Sequence, residues 1–253
     1  MGTLKLSVII ITLNEERNLP LLLGDLERQT VLDFETLVVD SCSLDKTVAR
    51  ARSFSKRLEP LRIIEMPRRG VSLGRNTGAL EAQCERILFL DADTRLDPDF
   101  IENCLSEMES RCLDVGGVYM KNPNASLLIR AGLSLFNLGL GVSALFFPMA
   151  VGACVFSTRT LHGRIGGFDE SITLCEDCDY VRRASGERGA RFGMLRQKFV
   201  FHTRRLEQDG LLKTGWTYLR ANLHRFFIGE LYGNPYRYQF GHYSSPKTGE
   251  SDA

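Results

Sequence analysis

The chain has 253 residues, a formal net charge of +1, 43% hydrophobic residues and 25% charged residues. That balance excludes a disordered chain, a fibrous repeat and a globally basic nucleic-acid binder, so any anion site must be local. Seven cysteines, an odd number scattered between Cys42 and Cys178, together with no signal-peptide pattern at the start, point to reduced thiols and a cytoplasmic protein.

Strand-like and helix-like pieces alternate. Leu6 to Thr12 is a β-branched apolar run, and Asn14-Glu15-Glu16 is expected to open a helix with acids in its first turn. Leu19, Leu22, Leu23 and Leu26 then recur at helical spacing. Phe34 to Val39 predicts a second strand closing on Asp40, and Ser43 a cap for a helix through Lys56. A third strand spans Leu61 to Ile64. Arg68-Arg69-Gly70 leads into a helix from Ser72 to Gln83, which carries Gly74, Arg75 and Asn76. The run Ile87-Leu88-Phe89-Leu90 ends in Asp91-Ala92-Asp93 and reads as a fourth, buried strand. The expectation is an α/β fold with one Rossmann-like, mostly parallel central sheet flanked by helices. Residues 1–96 and 97–206 would be two halves of one domain, followed by a helical, aromatic extension at 207–243 and a disordered tail at 244–253.

Polar residues gather where these strands end, and open α/β sheets bind ligands at the carboxyl ends of their strands. Residues i and i+2 of an extended segment share a side, so Asp91 and Asp93 serve one ligand if the strand runs through both. Carboxylate oxygens suit a hard cation that also takes phosphate. Each position has a plainer reading. Asp93 is a candidate cap for a helix near Asp97-Pro98, Asn14 and Glu15 are candidate caps, Asp40 is a common turn residue, and Arg69 and Arg75 are either phosphate contacts or solvated.

The series SVIIITLNEERNL, VVDSCSLDKTVARA, RGVSLGRNTGALEA and ILFLDADTRLDPDF resembles the nucleotide-binding half of family 2 glycosyltransferases of the GT-A fold. The resemblance implies that Thr12, Asn14, Glu15 and Asp40 contact the nucleoside and that Arg75 lies near it or the diphosphate, with Arg69 kept as a candidate phosphate contact. Asp91 would touch the ribose or the metal-bound nucleotide and Asp93 would bind a divalent cation, Mn²⁺ or Mg²⁺, with Ala92 a further candidate contact to the nucleotide sugar and Asp91 a second candidate ligand. The second block has Ser41-Cys42-Ser43 where the family usually shows Asp-Gly-Ser.

In the second half, Gly166-Gly167-Phe168-Asp169-Glu170 is followed by Glu176, Asp177 and Asp179 at the start of an expected helix. These acids complement the helix dipole, and Asp179 can pair with Arg183 one turn on. Spacing does not choose a catalytic residue among the three. The resemblance implies that Asp177 is the base of an inverting transfer, with Glu176 a second candidate and Asp179 a positioning acid. Lys198 to Phe201 predicts a short strand before His202, a candidate metal ligand or a structural histidine, and Arg204 and Arg205 follow. Cys175 and Cys178 form a single CxxC, too few ligands for zinc.

From Ala131 to Ala153 no residue is charged. A buried helix plus a strand from Val151 to Ser157 is expected, with an interfacial helix or a membrane span as alternatives. Leu133, Phe136, Leu140, Ala144 and Phe147 fall at helical spacing. The C-terminal mixture of aromatics and bases, from Trp216 to Phe240, suits core packing, a homodimer surface or peripheral contact with anionic lipid.

The implied activity is transfer of a sugar from a nucleotide-diphosphate sugar to a glycan or lipid-linked acceptor, with no nucleic-acid partner. Two other readings stand beside it. Leu88 to Thr94 also resembles the nucleophile loop of haloacid dehalogenase-like phosphatases, although Arg95 occupies the position of their Thr or Val. The third is a nucleotide-sugar or lipid-binding protein without turnover.

Overall fold

The computed structural model describes residues 4–172 and 174–202, together with 210, 216, 220, 224 and 225. Arg204, Arg205, most of the expected C-terminal extension and the tail lie outside the described residues. The chain runs β1 (Leu6–Thr12), α1 (Leu19–Glu27), β2 (Phe34–Asp40), α2 (Thr47–Arg52), β3 (Leu61–Glu65), α3 (Val71–Glu81) and β4 (Arg86–Asp91). It continues α4 (Phe100–Ser110), β5 (Val115–Lys121), α5 (Leu127–Ser143), β6 (Cys154–Thr158), α6 (Arg159–Arg164), α7 (Glu176–Gly186) and β7 (Phe192–Val200).

Seven strands form one sheet in the order β3-β2-β1-β4-β6-β5-β7. β1 pairs in parallel with β2 and β4, and β2 with β3. β6 is antiparallel to both β4 and β5, so the expected mostly parallel sheet holds with one reversed strand near its middle. Because side chains alternate across a strand, each apolar run feeds two cores. Val8, Ile10, Val38 and Leu88 join Leu22 and Leu26 of α1 and Phe100 of α4 on one face. Ile9, Ile11, Val39 and Phe89 join Ala79 of α3 and Tyr180 and Val181 of α7 on the other. A buried side chain of this size contributes about 1.5–3 kcal/mol.

Two glycines set how closely α3 lies on β1. A Cβ on Gly74 would stand 2.5 Å from Ile11 Cγ2, and one on Gly78 2.2 Å from Ile9 Cγ2. Arg75, next to Gly74, is thereby pressed into the sheet's upper edge, where it is 2% exposed.

Several element boundaries differ from expectation. Asn14, Glu15 and Glu16 do not open α1, which has no acid in its first turn and begins at Leu19 with Pro20 close behind. Asn14 instead turns at φ 54°, its N–H donating to Ser43 Oγ at 2.8 Å while its Oδ1 accepts from the Leu44 N–H at 2.7 Å. Ser43 is thus spent on the neighbouring loop, and α2 starts four residues later behind Lys46. β4 stops at Asp91, so Asp91 and Asp93 are not alternate residues of one strand, and α4 is preceded by Asp99 rather than Asp93.

The largest correction concerns α5. It is not a buried helix: Leu133, Leu140 and Ser143 are buried, whereas Leu127, Leu128, Leu135, Phe136, Leu138 and Val142 face outward. No helix among the described residues is long and apolar enough to cross a membrane. The strand after it begins at Cys154 rather than Val151.

Candidate active site

The parallel ends of β1, β2 and β4 and the start of α7 meet at one edge of the sheet. Thr12 and Asp40 close β1 and β2 and are register partners, so their side chains share a side. Both are 2% exposed. Asp40 Oδ2 accepts from the Ser43 N–H at 2.9 Å, but Asp40 Oδ1 and Thr12 Oγ1 are buried without a hydrogen-bond partner. A buried polar atom left unpaired costs about 1–3 kcal/mol, which a ligand with complementary donors would recover. Asn14 is committed to the β2 loop, as above. The Glu15 N–H donates to Thr47 Oγ1 at 2.8 Å, and Glu15 Oε2 accepts from Asn18 at 2.5 Å. These crossings hold the β1 and β2 loops together. Cys42 sits at φ 63°, the left-handed conformation a glycine adopts without strain.

Arg75 joins the two halves. Its Nη1 donates to Glu176 Oε1 at 2.8 Å, and its Nη2 to Asp91 Oδ1 at 3.2 Å and to the Gly152 carbonyl at 3.0 Å. Its guanidinium lies 5.0 Å from the Phe168 ring centre. Burial alone would lower its pKa, but Asp91, Glu176 and Asp177 outweigh that and raise it. Arg75 is therefore turned inward onto acids, and Arg69 is exposed on the loop ahead of α3.

The acids respond in kind. Burial pushes the Glu176 carboxyl up to about 7, against the pull of Arg75 and with help from Asp177. Asp91 keeps 39% of its side chain open, yet desolvation at the cleft floor also lifts it, with Arg75 opposing. Asp177 is held by backbone: its Oδ2 accepts from the Gly152 N–H at 2.5 Å and its Oδ1 from the Cys178 N–H at 2.8 Å. Asp179 is buried and accepts from Arg183 Nε at 2.7 Å, while Arg183 also reaches the carbonyls of Ile165 and Gly167. Asp179 thus ties α7 to the glycine-rich loop before it, in line with the pairing expected from sequence.

Asp93 and His202 enter through a single antiparallel bridge. The Arg95 N–H donates to the Val200 carbonyl at 3.2 Å, and the Val200 N–H returns to the Arg95 carbonyl at 2.8 Å. Asp93 lies two residues before one side of that bridge and His202 two after the other. The loop is fixed by Asp25 of α1, whose carboxylate takes Arg95 Nε at 2.5 Å, Arg95 Nη2 at 2.8 Å and the Leu96 N–H at 3.1 Å. A carboxylate with phosphate oxygens suits Mn²⁺ or Mg²⁺, and an added imidazole favours the transition metal Mn²⁺ over Mg²⁺. No group of three or more His, Cys, Asp or Glu side chains forms a metal-holding cluster among the described residues, and all seven cysteines are unpaired.

Sequence reasoning missed three contributors. Gly152 packs so tightly that a Cβ would be 2.8 Å from both Arg75 Nη2 and Asp177 Cβ. Asn76 clamps the backbone of Phe168, donating to its carbonyl at 2.9 Å and accepting from its N–H at 2.8 Å. Phe168 itself stacks on Tyr180, ring centres 4.0 Å apart, and walls Arg75 in. Asn76 was visible in its block without a role. A glycine inside an uncharged run carried no signal.

The family description "Glycosyl transferase family 2" matches residues 7–159, and "Glycosyl transferase family group 2" matches residues 86–241. The chain belongs to glycosyltransferase family 2. Both matches cover Leu88–Thr94, which overturns the phosphatase reading of that loop. An uncharacterized glycosyltransferase of Haemophilus influenzae is 25% identical over 191 residues, 70% of this chain and 60% of its own length. Residues 1–349 of Staphylococcus aureus TarS share the fold at a TM-score of 0.66 and 21% identity, covering 89% of this chain and 73% of that one. The mannosyltransferase PcManGT from Pyrobaculum calidifontis, in complex with GDP-Man and Mn²⁺, aligns at a TM-score of 0.68 and 19% identity, covering 87% and 65%. These neighbours establish that this family 2 chain has the α/β architecture of such enzymes, with a seven-stranded central sheet flanked by helices.

Proposed function

We propose that the protein moves a sugar from a nucleotide-diphosphate sugar to an acceptor hydroxyl or phosphate, with inversion at the anomeric carbon and with a divalent cation. The observation that carries this reading is the meeting of Asp91, from the donor-side strand, with Glu176, from the acceptor-side helix, on buried Arg75. Asp177 stands beside them on Gly152. Thr12 and Asp40 offer unpaired buried oxygens to a nucleoside. TarS with UDP or UDP-GlcNAc and PcManGT with GDP-Man are relatives in fold that take such ligands.

In this mechanism Asp177 accepts the proton of the attacking hydroxyl. Its two backbone donors fix the carboxylate's direction and leave lone pairs for the acceptor. Arg75 keeps Asp91 and Glu176 in place, and its charge is spent on those acids. Asp93 and His202 would hold the cation, which supplies neutralisation of the leaving diphosphate. Asp179 orients α7 through Arg183 rather than touching substrate.

Calorimetry with uridine and guanosine diphosphates, with and without Mn²⁺, tests the site. Binding should require the metal and should fall at least about tenfold in Asp93→Ala. No binding of either nucleotide would refute the donor assignment. Turnover of a nucleotide sugar should drop by about 10²–10⁴ in Asp177→Asn while nucleotide binding persists. Full function of that variant in cells would instead favour a binding protein without catalysis.

A further inference from the structure

The outward face of α5 is not explained by the transfer chemistry. Leu127, Ala131, Leu135, Leu138, Val142 and, in the turn that follows, Leu145 recur every three or four residues. On a helix they fall within an arc of about 100°. Leu135 is 71% exposed, Leu138 64% and Leu145 84%, and Phe146 beside them is 68% exposed. The opposite face, through Leu133 and Leu140, is the one packed on the sheet.

The helix is firmly seated. Asn137 Oδ1 accepts from the Met120 N–H at 3.0 Å and its Nδ2 donates to the Met120 carbonyl at 2.7 Å, clamping α5 onto β5. The Ser126 side chain caps its start. A fixed helix that is apolar on both sides needs a second apolar neighbour.

We propose that this face docks on the interfacial layer of an anionic lipid bilayer. Charge selects that occupant. No Asp or Glu occurs between Asp114 and Asp169, whereas Arg130 lies on α5 at the border of the stripe. A second copy meeting this face about a two-fold axis would set Arg130 against its own copy, with no acid from residues 115–168 to pair with it. A protein partner would ordinarily be met by polar groups around the patch, about one hydrogen bond per 100–200 Å² of interface. The stripe itself offers only hydrocarbon. Hydrocarbon flanked by arginine is the chemistry of a helix lying in an anionic headgroup layer. A helix of 17 residues is about 26 Å long, which suits lying on a bilayer rather than crossing it.

The docking also points the cleft. Residues 147–151 alone separate Phe146 from Gly152, which holds Asp177. The acceptor side would therefore open at the lipid surface, within reach of a hydroxyl or phosphate carried by a lipid. That consequence rests on the transferase reading, whereas the lipid contact stands on α5 alone.

Cosedimentation of the full chain with phosphatidylcholine vesicles, with and without phosphatidylglycerol, is the test and needs no donor or metal. The wild type should partition onto phosphatidylglycerol vesicles and about tenfold less onto neutral ones. Leu138→Asp combined with Leu145→Asp should lower partitioning about a hundredfold. Its thermal midpoint should stay unchanged, because both side chains are already exposed. Arg130→Glu should weaken binding to the anionic vesicles alone. Absence of wild-type binding, equal binding to both vesicles, or a double variant that binds as well as the wild type overturns the proposal. A concentration-dependent dimer in light scattering that the same two substitutions dissolve overturns it too, by assigning the face to a second copy. Failure of nucleotide binding would leave these outcomes untouched.

Discussion

The strand ends of the first half and the acid cluster of the second solve opposite problems. At Thr12 and Asp40 the backbone is tightly laced by Asn14, Glu15, Ser43 and Thr47, yet two buried side-chain oxygens have no partner. Around Arg75 the carboxylates of Glu176 and Asp91 are already paired inside the protein, and the cost falls on their protonation instead. The first region is rigid in backbone and unsatisfied in side chain, so it gains by binding. The second is satisfied but electrostatically tense, so small displacements should alter chemistry more than affinity.

That contrast can be broken at Gly152. Gly152→Ala should lower kcat about a hundredfold with nucleotide affinity unchanged, because the new methyl must displace either Arg75 or Asp177. An equal loss in affinity and in kcat would show that the two regions do not act separately. A smaller effect is expected in the pH dependence of stability. The folded Glu176 carboxyl holds its proton up to about 7, above its ordinary 4.5. The folded state therefore binds more protons than the unfolded one between those values, and stability should fall as pH rises through that window. Glu176→Gln should flatten this slope in urea midpoints measured across the same range. The smallest effect belongs to the first half. Cys42→Gly should raise stability by up to about 1 kcal/mol by relieving the left-handed backbone, less the loss of the Cys42 Sγ contact with the Met66 carbonyl at 3.1 Å. Nucleotide affinity should not change.

The strands were the most legible part of the sequence. Leu6–Thr12 runs as read because a continuous β-branched segment buried on both faces has no competing periodicity. Helix starts were harder. Ser43 looks like a cap, but its hydroxyl serves Asn14 across a loop, a contact 29 residues apart that no local pattern encodes. The acids at 176, 177 and 179 were correctly read as the first turn of a helix. Their partition among Arg75, Gly152 and Arg183 depends on three different elements arriving together, so spacing could not choose between them. α5 failed for a simpler reason: an uncharged helix looks buried by composition, and only the sheet's position decides which side it covers.

The placement of β5 governs the order in which the molecule can assemble. β1 to β4 pair with one another and could form while the chain is still being made. Among the described strands β5 pairs only with β6 and β7, so Val115–Lys121 joins the sheet only once Cys154–Thr158 lies beside β4. Through that interval the free edge of β4 is a template for a stray strand. A chain that has grown only as far as α5 therefore still lacks the strand that covers the edge of β4. The reversed strand β6 is the piece that ends the hazard.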